Sequence, residues 1–583
     1  MNTASASLAS VDRHHGTGAW LCRILFIATV LMAGALFWIA PRPPMGDLPQ
    51  HAAQVALLHD LVSGTSAWAD LVRANYFTPY LLGYGLAFVL SYVIPVVSAM
   101  KLFMMLAFYA YVAAGVALRK EYEADARLDW LFVPGFFGFA YQYGFYTYLL
   151  AVPVGLYFLL LARRFARAPG IVGGISLTVT GVVMFFSHGL VFVFACAVGA
   201  AFIPCFTRQP ARIIRALVPY VLLAALTLGY LIYVRQNDLV IQGAATQASS
   251  GMAWDWTGPF GWHRVYNFVL YTLATEMKDA YFLIGAAFLL AAPWLLRAKL
   301  NYRDPTAWLP MLAMVFVWFC APSDALGIAL LYQRFPIFLL PLYALMFQAD
   351  PAFARRAASP VVVRLTQLVI VLFCWSYLGV LAVREHRFAV ENAPFETLLS
   401  TTEPGQRALS LIFAPESPIV HNLWTYHTFP LWYQAERHGF VDFNFAFFLP
   451  QIVRFRPDRV PAVRPGPQES TAEGFDWHAV DGRVYRYFFV RHTKPLPATL
   501  FKNDECDVVL VKEVPDWSLF ERRACRQADP RISRAYPGHF PADSGNIPAG
   551  FWPVPDDFHA DPAQAAARVA PATTVGRREH PPR

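Results

Sequence analysis

Asp47 and His51 lie four residues apart in Pro44-Met45-Gly46-Asp47-Leu48-Pro49-Gln50-His51-Ala52-Ala53-Gln54 and are the side chains here most suited to moving a proton. The stretch leads into an apolar run ending at Ser63-Gly64 and reads as a helix on a membrane surface. Asp47 can cap that helix, Pro49 suits its first turn and Gly64 its exit. Asp47, Gln50, His51 and Gln54 then follow the i, i+3, i+4, i+7 spacing and share one face. A carboxylate beside an imidazole can take the proton of a hydroxyl. The plainer reading is that Asp47 only caps the helix and His51 only solvates it.

A cation stands in Leu331-Tyr332-Gln333-Arg334-Phe335, at a loop end where membrane topology does not call for one. The guanidinium fork of Arg334 suits a lipid phosphate, and Gln333 beside it is a second candidate for binding substrate. The alternative is an arginine snorkelling to the interface. His188, in Ser187-His188-Gly189 between two apolar runs, either lines the same cavity or bonds its own loop. Trp254-Asp255-Trp256 and Trp262-His263-Arg264 suit a sugar ring or a pyrophosphate, and equally an interfacial aromatic belt. His421, His427 and His438 lack a compact metal-ligand spacing, and Trp424, Tyr426, Phe429 and Trp432 between them read as packing. No phosphate loop, dinucleotide fingerprint, nucleophile elbow or zinc-spaced cysteine pair is present, which argues against soluble cofactor chemistry.

The elements that must hold these residues are membrane spans. The 583 residues are 57% hydrophobic and 15% charged, with mean hydropathy +0.40, where soluble chains carry about a quarter of their residues as charged. The net charge of +8 sits in short clusters between apolar runs, as loops of a membrane protein do, and does not read as a nucleic-acid surface. Trp20 to Ala40 lacks a cleavage site and reads as a signal anchor after a cytoplasmic segment 1–19. Further candidate spans are Pro79 to Val97, Ala99 to Leu118, Trp130 to Leu161, Ile171 to Phe186, Leu190 to Phe206, Ala216 to Val234, Ala280 to Leu296, Thr306 to Cys320, Phe335 to Phe347 and Val361 to Val383. The expected fold is an α-helical polytopic membrane protein of about eleven spans.

With the N-terminus inside, the clusters Arg163-Arg164-Arg167, Arg208-Arg212-Arg215, Arg297-Lys299-Arg303 and Arg355-Arg356 all fall inside, and Arg119-Lys120 is an exception. Trp130 to Leu161 is long for one crossing and holds Pro134, Gly135, Gly138, Gly144 and Pro153, as a broken helix lining a cavity would. The transmembrane domain covers 20–383 with a first outer loop at 41–78. A small extracytoplasmic α/β or α+β domain follows at 384–528, with strands at Arg407 to Phe413, Val484 to Arg491 and Val508 to Glu513. Cys506 and Cys525 there either pair or stay free. The Pro- and Ala-rich stretch 529–583 reads as a disordered tail.

An acidic residue just past the first span resembles the GT-C superfamily of membrane glycosyltransferases, whose first outer loop carries an aspartate at the catalytic centre. Many members have an Asp-Glu pair here, whereas this chain has Asp47-Leu48 followed by His51, closer to bacterial relatives with Asp-x-x-x-His. The resemblance implies a bacterial inner-membrane enzyme that moves a sugar from a polyprenyl-phosphate donor to an envelope glycan, lipid or protein on the outer face, with inversion. Asp47 and His51 would be catalytic, and His188, Gln333 and Arg334 would bind substrate. No cofactor is implied with certainty, and a divalent metal stays open. Two other readings remain: a transporter or flippase, against which the spans' lack of central charge counts, and a GT-C-like scaffold without turnover.

Overall fold

The computed structural model describes residues 20–237, 261–275, 280–323, 329–349, 360–420, 422, 424–448, 450–459 and 472–526. Trp254 to Trp256, His421 and the tail from 529 lie outside them. In chain order the helices are α1 (Trp20–Trp38), α2 (Leu48–Ser63), α3 (Leu81–Ser91), α4 (Val96–Glu121), α5 (Phe132–Gly135), α6 (Phe139–Tyr143), α7 (Tyr146–Arg167) and α8 (Ile171–Ser187). Then come α9 (Gly189–Phe206), α10 (Pro210–Asn237), α11 (Trp262–Leu270), α12 (Ala280–Leu295), α13 (Leu309–Cys320), α14 (Leu339–Ala344), α15 (Pro360–Thr401) and α16 (Leu431–Arg437). Among the described residues, α1, α4, α7, α9, α10 and α15 are long and apolar enough to cross a bilayer, and shorter apolar helices accompany them. Their outward faces leave Val172, Val221, Ile284 and Phe316 bare, a surface fit for lipid tails rather than water.

Hydrogen bonds at the helix ends show how the chain passes through the bundle. The helix α3 does not cross it. Tyr84 reaches His51 at 2.6 Å and Ser91 reaches His59 at 2.7 Å, so α3 lies beside α2 at the Asp47 end. Its 11 residues are also too few for a bilayer core about 30 Å thick. The next helix starts at that same end, where Lys101 of α4 donates to the Ala40 and Pro41 carbonyls at 2.6 and 3.1 Å. It finishes at the far end, where Glu121 accepts from Arg163 at 2.9 Å and Arg164 at 2.7 Å. Arg119 and Lys120 therefore stand with Arg163, and their exceptional placement came from counting Pro79 to Val97 as a crossing.

The long candidate Trp130 to Leu161 is two passes. At the far end the Asp125 amide donates to Phe347 O at 2.9 Å; at the other end the Asp47 amide donates to Tyr143 O, also at 2.9 Å. Between them the chain climbs through a 3₁₀ turn (Ala126–Leu131), α5 and α6, and α7 then returns. Glycines make the breaks: a Cβ on Gly138 would strike the Tyr271 and Thr272 carbonyls, and Gly144 holds φ of +94°. Irregular backbone at membrane depth needs internal partners. Gln142 Nε2 donates to the Phe137 and Leu273 carbonyls at 3.1 and 3.0 Å, and Tyr377 Oη lies 3.1 and 2.9 Å from the same two.

The candidate Phe335 to Phe347 is likewise no regular span. Pro336 and Pro341 interrupt it, and it runs as a 3₁₀ turn (Tyr332–Phe338) followed by α14, buried within the bundle. Tyr111 Oη donates to the Ile337 carbonyl at 2.9 Å.

The last helix, α15, has 42 residues and is about 63 Å long, twice what a bilayer core requires. Its second half carries the outer domain, because Phe388 and Phe395 turn from lipid to the aromatic cluster of Tyr426, Phe429, Phe489 and Trp517. The expected boundary at 384 thus falls inside a continuous helix. The domain's sheet is formed by β4 (Arg407–Ile412), β5 (Phe440–Asp442), β7 (Tyr487–Arg491), β8 (Cys506–Val514) and β9 (Trp517–Cys525) in the order β5-β4-β7-β9-β8. Pairings are parallel around β4 and antiparallel around β9. Cys506 and Cys525 face each other on β8 and β9 and are joined as a disulfide. Elsewhere, the first loop donates β1 (Val72–Ala74) to pair with β6 (Val453–Phe455), while β2 (Lys299–Leu300) pairs with β3 (Phe347–Gln348).

Candidate functional site

Asp47 stands at the N-cap position of α2, but its carboxylate makes no capping bond. The capping role expected of it is not used, and Gly64 closes the helix in the left-handed conformation as its sequence suggests. Backbone contacts hold Asp47 in place: its amide bonds Tyr143 O, and its carbonyl receives the His51 amide at 3.2 Å. Gly144 permits that approach, since a Cβ there would lie 2.9 Å from the Asp47 nitrogen.

The shared face of α2 divides its work. Gln50 bonds the outer-domain loop at both ends of its amide, with Nε2 donating to Phe443 O at 3.3 Å and Oε1 accepting from Phe445 N at 3.0 Å. Gln54 Oε1 accepts from Val453 N at 2.9 Å. The two glutamines therefore seat this segment of the outer domain over the cavity, while Asp47 and His51 line it.

Arg334 projects into the same cavity from the 3₁₀ turn. It is stacked 3.7 Å over the Phe145 ring, and it donates to Leu330 O at 3.3 Å and Ala329 O at 2.9 Å. Among the described residues no carboxylate lies within ion-pairing distance of it, so its charge is held but not neutralised. Asp47 likewise has no side-chain hydrogen bond or ion pair among the described residues. Burial pushes its carboxyl up to about 7, against the pull of the Arg334 cation. Burial together with the same cation pushes the His51 imidazole down to about 3, so it stays neutral.

Two other candidates stand outside the cavity lining. His188 Nδ1 accepts from its own loop, from Leu190 N at 3.2 Å, and its ring packs on Tyr80 and Tyr148. Tyr80 thus separates it from the cavity. Gln333 is buried with Nε2 donating to Ser323 Oγ at 2.8 Å, which braces the loop before Arg334. Arg264 braces that loop too, donating to Trp318 O and Ala321 O at 2.8 and 3.0 Å and stacking on Tyr332. A pyrophosphate role for Arg264 does not fit these bonds, and Trp262 is exposed as an interfacial belt residue would be. His438 pairs with Asp60 at 2.9 Å; His427 is buried. Among the described residues no three His, Cys, Asp or Glu side chains gather closely enough to hold a metal ion.

Sequence reasoning missed Tyr80, Tyr143, Phe145, Phe445, Phe448 and Gln451 on the cavity wall. Four of them had a signal. Tyr143 and Phe145 flank Gly144 in the stretch read as broken, and Phe445 and Phe448 belong to the aromatic run Phe443-Asn444-Phe445-Ala446-Phe447-Phe448.

By sequence, no protein-family model and no curated protein matches the chain. Among solved structures it is similar to ArnT from Cupriavidus metallidurans bound to undecaprenyl phosphate, at 12% identity and a TM-score of 0.50, over 86% of this chain and 98% of that one. At this identity the likeness is one of fold, which the chain shares with ArnT. The mycobacterial arabinofuranosyltransferase AftD is a further match at 12% identity and a TM-score of 0.46; 86% of this chain is covered, which spans 41% of AftD. The cavity sits between bundle and outer domain, with Asp47 entering from the first loop.

Proposed function

We propose that the chain is a membrane glycosyltransferase that moves a sugar from a polyprenyl-phosphate donor to an envelope glycan, lipid or protein, with inversion at the anomeric carbon. The observation that carries this reading is an unpaired, buried Asp47 carboxylate sharing one cavity with an un-neutralised Arg334. Asp47 takes the proton of the acceptor hydroxyl as that oxygen attacks the anomeric carbon. The sugar–phosphate C–O bond breaks with its electron pair going to the phosphate, which Arg334 holds. The polyprenyl phosphate leaves as a phosphate monoester without a general acid, so one base and one clamp suffice. Neutral His51 assists as a hydrogen-bonding partner.

The cavity belongs to the outer side of a bacterial inner membrane in this reading, with the N-terminus cytoplasmic and about eleven crossings. Counting passes between the two ends, with α3 excluded and the stretch before α7 added, supports that number.

Purified protein in bilayer discs, given polyprenyl-phosphate sugars and extracted envelope acceptors, tests the proposal. Transfer by wild type and a roughly 10²- to 10⁴-fold loss in Asp47→Asn is expected. Lipid translocation without transfer would favour the flippase reading, and undiminished transfer by Asp47→Asn would overturn the assigned base.

A further inference from the structure

The bonds around His51 determine which ring nitrogen carries its proton. His51 Nδ1 lies 2.6 Å from Tyr84 Oη, and Tyr84 Oη donates to Gln451 Oε1 at 2.5 Å. An amide oxygen can only accept, so the single phenolic proton is committed to Gln451. The Tyr84 oxygen is then the acceptor in its contact with His51, and the proton of that contact sits on Nδ1. A neutral imidazole carries one N–H, which leaves Nε2 with a bare lone pair. Among the described residues Nε2 has no protein partner, and His51 lines the cavity.

The end of this chain of bonds is set by the outer domain. Gln451 is 367 positions from Tyr84, and its backbone is pinned where Asn75 Nδ2 donates to Gln451 O at 2.9 Å. The neighbouring Ile452 carbonyl accepts from Asn75 N at 2.7 Å. Tyr84 itself is fully buried, so water does not compete for its proton. Without the Gln451 oxygen, the phenol is free to donate to Nδ1, and the imidazole proton moves to Nε2. The cavity would then meet a donor where it now meets an acceptor.

We propose that Gln451, acting through Tyr84, is a positioning residue that holds His51 in the tautomer with its unprotonated Nε2 facing the cavity, where it accepts a hydrogen bond from a substrate hydroxyl other than the one whose proton Asp47 takes. The role of the hydroxyl rests on the glycosyltransferase reading; the tautomer does not. Docking of the outer domain thereby completes the site chemically as well as sterically.

Ring-nitrogen NMR of full-length protein carrying ¹⁵N-histidine, in lipid nanodiscs at pH 7, tests the relay, with the His51 signal identified by its loss in His51→Asn. The expected result is a protonated Nδ1 and a bare Nε2 in wild type, a shift toward the Nε2–H form in Gln451→Ala, and retention in Gln451→Glu, whose carboxylate still accepts from Tyr84. In the transfer assay Gln451→Ala should lower kcat roughly tenfold with donor KM little changed, and Gln451→Glu should restore it. A wild-type Nε2–H form would overturn the proposal without any variant having to fold, as would a tautomer unmoved in both Gln451→Ala and Tyr84→Phe. The expected tautomers with no sugar transfer by wild type would leave the relay standing and overturn the glycosyltransferase reading.

Discussion

A carboxylate buried without a partner is costly unless it is protonated, and Asp47 lies at that balance. Its carboxyl is pushed up to about 7 by burial, with Arg334 pulling the other way. The basic form grows as pH rises, so transfer should climb through an acid limb centred near about 7. Removing the cation removes the opposing pull, and Arg334→Ala should move that limb to higher pH while weakening donor binding; a pH series of kcat and KM for both proteins checks this. The same shift has a stability sign. The folded state prefers the protonated acid, so stability falls as pH rises from the ordinary value of 3.8 to about 7 and stays lower above it. Asp47→Asn avoids burying that charge, and at pH 8 it should unfold at a temperature no lower than wild type although it is inactive.

The element that decides the geometry is the turn between α6 and α7. Gly144 combines a left-handed φ of +94° with an approach to the Asp47 amide that leaves no room for a Cβ. Gly144→Ala should therefore cost at least about 1 kcal/mol in stability. Because the strain falls on the amide contact that seats Asp47, turnover should drop further than unfolding accounts for. Thermal unfolding and kcat measured on the same preparation separate the two effects. The helix α2 works by the same logic of shared faces: its glutamines hold the loop from the outer domain, and its acid and imidazole are left facing the cavity.

At the scale of the whole molecule, bundle and outer domain are tied at several points around the first loop. Arg42 donates to Glu436 at 2.7 Å and to Glu396 at 2.6 Å, and β1 pairs with β6. The sheet order places β5, which leads into the cavity loop, at one edge and the disulfide-linked β8 at the other. Opening the Cys506–Cys525 bridge, which closes 19 positions of chain, should destabilise the outer domain by about 3 kcal/mol. The site lies at the opposite edge, so transfer at low temperature should change little. Unfolding curves and transfer rates with and without reductant check both parts.

Local composition and spacing were enough to determine that this chain enters a membrane, that α2 forms with Asp47, Gln50, His51 and Gln54 on one face, and that Trp130 to Leu161 is broken. Those features depend on residues near one another in the chain. Whether a short apolar run crosses the bilayer or lies along it depends on what its ends bond, which is why the sequence counts Pro79 to Val97 as a span. Gln333 and Arg334 are neighbours of similar polarity, yet a 3₁₀ turn points one at Ser323 and the other at the cavity. His188 is kept from the cavity by Tyr80, a residue distant in sequence. Gln451 has no local mark of its role, because its meaning comes from the proton of a tyrosine to which only the packed outer domain can bring it.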